Sequence, residues 1–255
     1  MHGKIISVAN QKGGVGKTTT AINLSASLAV AEKKILVIDI DPQGNSSSGL
    51  SFPNTQPSIY DLLVGSVSFS DTIVKEVIPF LDLIPATIDL VGAEIELLEM
   101  ERREFILKER IKEAKSKYDY IFIDCPPTLG ILTLNALASS DSVLIPVQCE
   151  YFALEGLGQL LRTIALVKER FNKHLTIEGV LLTMYDSRLK LSEQVAEEVR
   201  KYFEDKVFTT KIHRNVRVSE APSFGKPVLM YDALSNGAKN YIELAQEFLG
   251  RNSKR

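Results

Sequence analysis

An apolar run, Ile5–Ala9, leads straight into a glycine-rich turn and then into a helical pattern, ANQKGGVGKTTTAINLSASLA from Ala9 to Ala29. Strand, glycine turn, Gly-Lys-Thr and helix in that order define a phosphate-binding loop and leave few folds open. Gly13, Gly14 and Gly16 allow backbone N–H groups to turn inward around phosphate oxygens. The N-terminus of the following helix adds its partial positive charge. Lys17 then meets the β- and γ-phosphates and the Thr18 hydroxyl ligates Mg²⁺, with Val15 and Thr19 completing the loop. The pattern departs from G-x-x-x-x-G-K-[ST] at its first position, where Gln11 replaces glycine, and a second lysine, Lys12, follows. One lysine suffices for the β- and γ-phosphates. By residue chemistry alone Lys12 reads equally well as a solvated loop charge.

Short β-rich runs alternate with helical patterns along the rest of the chain. Strands are expected at Ile5–Ala9, Ile35–Ile40, Leu81–Ile84, Tyr120–Asp124, Ser142–Val147 and Glu178–Thr183. Several are nearly continuous in Val, Ile and Leu, as strands covered on both faces are. Helices are expected at Lys17–Ala31, Leu90–Lys117 with a break, Thr133–Ala138, Gly156–Phe171, Ser192–Phe203 and Ala238–Leu249. The last places Tyr241, Ile242, Ala245, Phe248 and Leu249 on one stripe. This βαβα order predicts an α/β fold: a single doubly wound domain over residues 1–255, with a mostly parallel sheet and helices on both faces. The polar stretch Gly44–Pro57 reads as a mobile loop, not a domain boundary.

Composition narrows the function classes. A formal charge of −2 makes any nucleic-acid site a local patch. The two cysteines, Cys125 and Cys149, form no C-x-x-C pair and read as buried structural thiols, not a zinc site or disulfide. His2 and His174 have no triad or metal spacing and read as surface residues. No signal-peptide pattern opens the chain. No apolar run approaches the roughly 20 residues of a membrane span.

Among the carboxylates, Asp124 ends an apolar strand, where an α/β sheet places ligand-binding groups. Asp39 and Asp41 lie two apart, so in extended chain they point to the same side.

The K-G-G-V-G-K-T form resembles the deviant Walker A motif of the ParA/MinD superfamily. VIDIDPQGNSSSGL (Val37–Leu50) resembles that family's second motif, IFIDCPPTLG (Ile121–Gly130) its Walker B, and RNVRVSEAPSFGKPV (Arg214–Val228) the C-terminal signature of chromosomal ParA, or Soj, proteins. The resemblance spans nearly the whole chain and carries definite implications. Lys12 reaches across an ATP-dependent homodimer to the partner's nucleotide. Asp41, directly before Pro-Gln-Gly, positions the attacking water. Asp124 holds Mg²⁺ through a water, and Asp39 supports the metal shell or caps the loop. Met184 and the segment Ile212–Asn215, with Asn215 at its end, occupy the place of the adenine pocket, although His213 stands where many relatives have proline. The cofactors implied are ATP/ADP and Mg²⁺.

For DNA the resemblance points to Arg188 and Arg217. Lys211–Arg217 carries three cations and no acid, and Lys190, Lys201, Arg214 and Lys226 are further candidates. Seven acids between Asp186 and Glu220 leave a solvated mixed-charge face as the alternative. The implied activity is that of a DNA-segregation ATPase, cytoplasmic and nucleoid-associated. Its dimer binds double-stranded DNA without sequence preference and is released when a ParB-type centromere-binding protein stimulates hydrolysis. The rival is a MinD-like membrane-associated division-site ATPase, which needs a basic amphipathic C-terminal helix. An iron–sulfur carrier would need cysteines at a dimer face, and a small-molecule ligase lacks the C-terminal signature. No helix-turn-helix segment precedes Lys4, so self-repression by operator binding is not expected.

Overall fold

Alternate residues of each strand enter two separate apolar layers. Ile6 and Val8, Ile35 and Val37, and Phe122 pack on one face; Ile5, then Leu36 and Ile38, and Ile121 and Ile123 pack on the other. This period-two division, with apolar side chains on both faces, marks a sheet covered on both sides. The computed structural model, which describes residues 3–51, 57–150 and 153–253, builds seven strands into that sheet. They are β1 Lys4–Val8, β2 Ile35–Asp39, β3 Val74–Ile78, β4 Leu81–Ile84, β5 Tyr120–Asp124, β6 Ser142–Gln148 and β7 Thr176–Thr183, in the spatial order β3-β4-β2-β5-β1-β6-β7. All neighbours are parallel except β3, which runs antiparallel to β4 at the edge.

The helix Lys17–Val30 and the C-terminal helix Asn236–Asn252 cover one face together. The latter is capped by the Ser235 hydroxyl on Ala238 N and buries Tyr241, Leu244, Ala245 and Phe248. The stripe expected at Ala238–Leu249 is thereby used in packing, although Ile242 is not among its buried members. Ile131–Ser139, Ala153–Arg170 and Lys190–Phe203 cover the opposite face with the shorter helices between β2 and β5.

The doubly wound, mostly parallel architecture is as expected, with three local corrections. Strand β3 went unrecognised because Lys75 and Glu76 interrupt its apolar run; at an edge, these charges face water. The region Leu90–Lys117 is a series of short pieces, Leu90–Glu96, Leu97–Glu99, Arg103–Phe105, Ile106–Arg110 and Ala114–Lys117, instead of one helix with a break. The third correction concerns Gly44–Pro57: Asn45–Gly49 forms a helical turn with Ser46 and Ser47 buried, and residues 52–56 lie outside the described residues. Both cysteines are free and buried, as expected of structural thiols.

Candidate nucleotide-binding and catalytic site

The C-terminal ends of β1, β2, β5, β6 and β7 converge on one edge of the sheet, and β1 lies between β5 and β6 where the strand order reverses. Open α/β sheets place ligands there. The glycine turn follows β1. Gly14 and Gly16 have φ of 73° and 88°, a left-handed backbone that glycine adopts without steric cost. A Cβ built on Gly13 or Gly14 meets nothing within 4 Å, so the loop is open on the side where phosphate oxygens would sit. Side chains hold it from below. Asn10 Nδ2 donates to Pro146 O at 2.7 Å and Asn10 Oδ1 accepts from Lys12 N at 3.0 Å. Thr183 Oγ1, at the end of β7, donates to Val15 O at 2.8 Å.

The two loop lysines have different surroundings. Lys17 is buried, and its ammonium donates to Lys12 O at 3.3 Å inside the loop. Burial lowers its pKa, opposed chiefly by the Asp124 carboxylate. An ammonium that has lost water and has one weak partner is prepared for an anion. Lys12 instead forms an ion pair with Glu150 beyond β6, and both side chains are partly exposed. Such a pair contributes about 0–1 kcal/mol, so releasing Lys12 to another anion costs little.

Asp39 and Asp124 face each other as register partners on β2 and β5. Both are fully buried. Burial first, and Asp124 second, push the Asp39 carboxyl above its ordinary range. Burial raises Asp124 too, against the Ser46 and Thr18 hydroxyls and Lys17. Two carboxylates in low dielectric favour a cation beside them. The helical turn Asn45–Gly49 holds both. Ser46 Oγ donates to Asp124 Oδ2 at 2.7 Å; Ser47 N and Oγ donate to Asp39 Oδ2 at 2.8 and 2.7 Å. Asp39 Oδ1 accepts from Asp41 N at 3.2 Å, and Asp41 Oδ1 from Gln43 N at 3.0 Å. Both Asp39 oxygens are therefore used in shaping the loop that carries Asp41. Asp124 Oδ1 is buried with no partner. That orphaned oxygen, near the half-buried Thr18, fits a Mg²⁺ site of the kind completed by substrate phosphates and water. Among the described residues there is no cluster of three or more His, Cys, Asp or Glu around a common point, and Mg²⁺ in such sites needs none.

The residues expected on the adenine side also come together. Tyr185 N donates to Ile212 O at 3.0 Å and Arg214 N to Tyr185 O at 3.2 Å, so Ile212–Asn215 lies along the segment that begins with Met184. Met184 holds a φ of 49°, an uncommon conformation for its residue type. Asn215 Oδ1 caps the helix Val216–Glu220 by accepting from Arg217 N at 2.9 Å, which leaves its amide N–H groups for other partners.

The expected DNA-contacting residues divide into two sets. Arg188 grips Asp186 through two nitrogens at 2.9 and 2.6 Å, Arg217 pairs with Glu220 at 2.9 Å and Asp232 at 3.3 Å, and Lys201 pairs with Glu198 at 2.6 Å. Lys190, Arg214 and Lys226 are exposed, and among the described residues no ion pair engages them. The Tyr185–His213 bridge brings the Arg188 and Arg214 segments side by side. Lys201 is roughly 16 Å further along its helix from Lys190. Ser46, Ser47 and Glu150 were not legible as site residues. Ser46 and Ser47 sit in a polar run that reads as loop, and Gly44, with a φ of 61° ahead of hydroxyl residues, was the one local signal of the turn.

A family model described as an AAA domain matches residues 3–177. The chain is 58% identical over 247 residues to the sporulation initiation inhibitor protein Soj of Bacillus subtilis, with 96% of this chain and 98% of that protein covered. The chain belongs to the ParA/Soj family of chromosome-partitioning ATPases. The chromosome-partitioning ATPase Soj of Treponema pallidum is 52% identical over 253 residues, covering 99% of this chain and 100% of that one. Among solved structures, cobyrinic acid a,c-diamide synthase from Mycobacterium smegmatis with bound ADP and magnesium superposes with a TM-score of 0.86. It is 38% identical and covers 99% of this chain and 97% of that chain. The fold thus agrees with the relatives over nearly the full chain.

Proposed function

We propose that this ParA/Soj chain is an ATP-driven DNA-segregation ATPase acting as one domain. ATP closes a homodimer, the dimer holds DNA without sequence preference, and a ParB-type protein stimulates hydrolysis and release. The observation that carries the reading is the pairing of a buried Lys17, with one weak hydrogen-bond partner, and a partly exposed Lys12 held by a single ion pair on one loop. Lys17 binds the phosphates of its own subunit's ATP. Lys12 leaves Glu150 and meets the nucleotide of the partner. Thr18 and Asp124 would hold Mg²⁺, which supplies neutralisation of charge on the β- and γ-phosphates. Asp41 accepts a hydrogen bond from the attacking water and keeps it in line; Asp39 and Ser47 fix the loop on which Asp41 sits. Met184 and Asn215 border the adenine. Among the described residues no helix is long and apolar enough to cross a membrane, and the apolar side of the C-terminal helix is occupied by the core instead of being presented to lipid.

Lys12→Ala tests the dimer directly. The variant is expected to bind ATP as a monomer with affinity within about twofold of wild type, since the lost contact is to a phosphate on another subunit. It should form no ATP-dependent dimer in light scattering. A normal dimer would make Lys12 an ordinary loop charge.

The DNA face has its own test. Arg217→Ala, and more strongly Arg217→Glu, should weaken DNA binding with the ATP-driven dimer intact. Exchanging the partly exposed Glu220 and Asp232 partners for a phosphate costs little, because surface pairs contribute about 0–1 kcal/mol. Each lost phosphate contact makes the log–log salt slope shallower by about 0.9. A two-fold dimer presents the site twice, so the change is about 1.8. Salt titrations on two unrelated duplexes should show equal loss, since phosphates carry no base information. A loss confined to one duplex would mean base reading; loss on neither would move the site to Lys190, Lys201, Arg214 and Lys226.

A further inference from the structure

The helix Leu90–Glu96 and the turn Leu97–Glu99 that extends it are apolar on two sides. Leu90, Ala93 and Leu97 are fully buried in the core. On the other side Ile88, Val91, Ile95 and Leu98 are 71, 48, 67 and 53% exposed. Their spacing of three, four and three residues sets them in one row along the helix. Single exposed apolar residues need no explanation, but a continuous row of four large ones marks an interaction surface. The row is bordered mainly by acid: Asp89, Glu94, Glu96, Glu99 and Glu101 lie in residues 89–101, and the only cations next to them in sequence are Arg102 and Arg103, the latter donating Nη1 to Leu98 O at 2.9 Å. Among the described residues none of the five is in an ion pair.

The row is tied to the catalytic loop. Ala86, two residues before Ile88, donates its N–H to Ser47 Oγ at 2.9 Å, and the same hydroxyl donates to Asp39 at 2.7 Å. The Ala86 carbonyl lies so close to Gly44 that a Cβ there would stand 3.1 Å from it. A pull on the Ile88 end of the row therefore reaches the loop that carries Asp41.

We propose that this row is the docking surface for a cationic amphipathic helix on the protein that stimulates hydrolysis. The apolar side of that helix covers Ile88, Val91, Ile95 and Leu98, and its lysines and arginines meet the bordering carboxylates. Charge selects this occupant. A second copy of the chain meeting the row about a two-fold axis would set five carboxylates against five, with Arg102 and Arg103 alone to offset them, and an anionic lipid surface would be repelled by the same five carboxylates. The inference rests on the reading that a ParB-type partner accelerates this ATPase.

The test is ATP turnover of the full chain, titrated with the ParB-type protein from the same genome, for wild type, Ile95→Glu/Leu98→Glu and Glu94→Lys/Glu99→Lys. For the first variant the half-maximal partner concentration should rise roughly 30-fold, as loss of central interface anchors does. For the second it should rise several-fold, with the difference shrinking as salt is raised. Basal turnover and ATP-dependent dimerisation should match wild type in both. Wild-type stimulation of both variants would overturn the assignment of this surface. Loss of the ATP-dependent dimer in the first variant would overturn it in favour of self-contact. Absence of any stimulation of wild type would instead remove the partner reading itself, and the inference with it. The charge-exchange variant leaves the apolar row untouched and so decides the matter if the first fails to fold.

Discussion

Lys17→Ala is expected to lose ATP and ADP binding altogether at ordinary concentrations. The ammonium is buried and desolvated; its one hydrogen bond is to Lys12 O, and its chief charge partner is the Asp124 carboxylate, so it does little inside the loop that an alanine would fail to do. Its proposed role is to meet phosphate. Charge-assisted hydrogen bonds contribute about 1.5–3 kcal/mol each, so losing two of them weakens nucleotide binding on the order of 100-fold or more. Thermal stability without nucleotide should fall little or even rise, since a buried charge with a weak partner is removed. A fluorescent-nucleotide titration with a parallel melt separates the two effects. Unchanged affinity would remove the phosphate-loop assignment.

Asp41→Ala should give the opposite profile: nucleotide binding retained, turnover lost. Removing a group that accepts a hydrogen bond from a reacting water and holds it in line typically costs a factor of about 100 to 10,000. The backbone around it should survive, because Asp39 Oδ1 bonds the backbone N–H at position 41, which alanine keeps. Without hydrolysis the ATP state persists, so the variant should remain dimeric and on DNA for many wild-type turnover times. Single-turnover kinetics with a DNA-release assay reads both. Turnover at the wild-type rate would assign the water to another carboxylate.

Chain landmarks were legible in the sequence; contacts between distant polar groups were not. Lys17 and Asp124 could be placed because each sits at a covalent landmark: the end of a glycine turn and the end of an apolar strand. The parallel sheet followed from runs such as Ile35–Ile40, buried on both faces. What failed was structure made by polar groups. Ser46 and Ser47 are buried only because Asp124 and Asp39 accept their hydroxyls, a long-range fact that no local pattern states. Strand β3 is held by its pairing to β4, not by its own alternation. The basic face was legible as composition but not as chemistry. Arg188 and Arg217 already hold acids of their own chain, whereas the candidates Lys190, Arg214 and Lys226 are in no ion pair among the described residues. The Lys12–Glu150 pair was equally invisible, since the two residues lie 138 positions apart.

The proposed cycle turns on DNA binding that depends on nucleotide state. The most direct measurement is a DNA-binding titration of the wild-type chain on a fixed duplex at one salt concentration, with no nucleotide, with ADP–Mg²⁺ and with ATP–Mg²⁺, run beside the slowly hydrolysing Asp41→Ala variant. Binding at least about tenfold tighter with ATP than in the other two states, and tighter still or longer-lived in the variant, is the expected result: doubling the basic face by dimerisation adds avidity without a new contact. Equal affinity in all three states would contradict an ATP-closed dimer as the DNA-binding form.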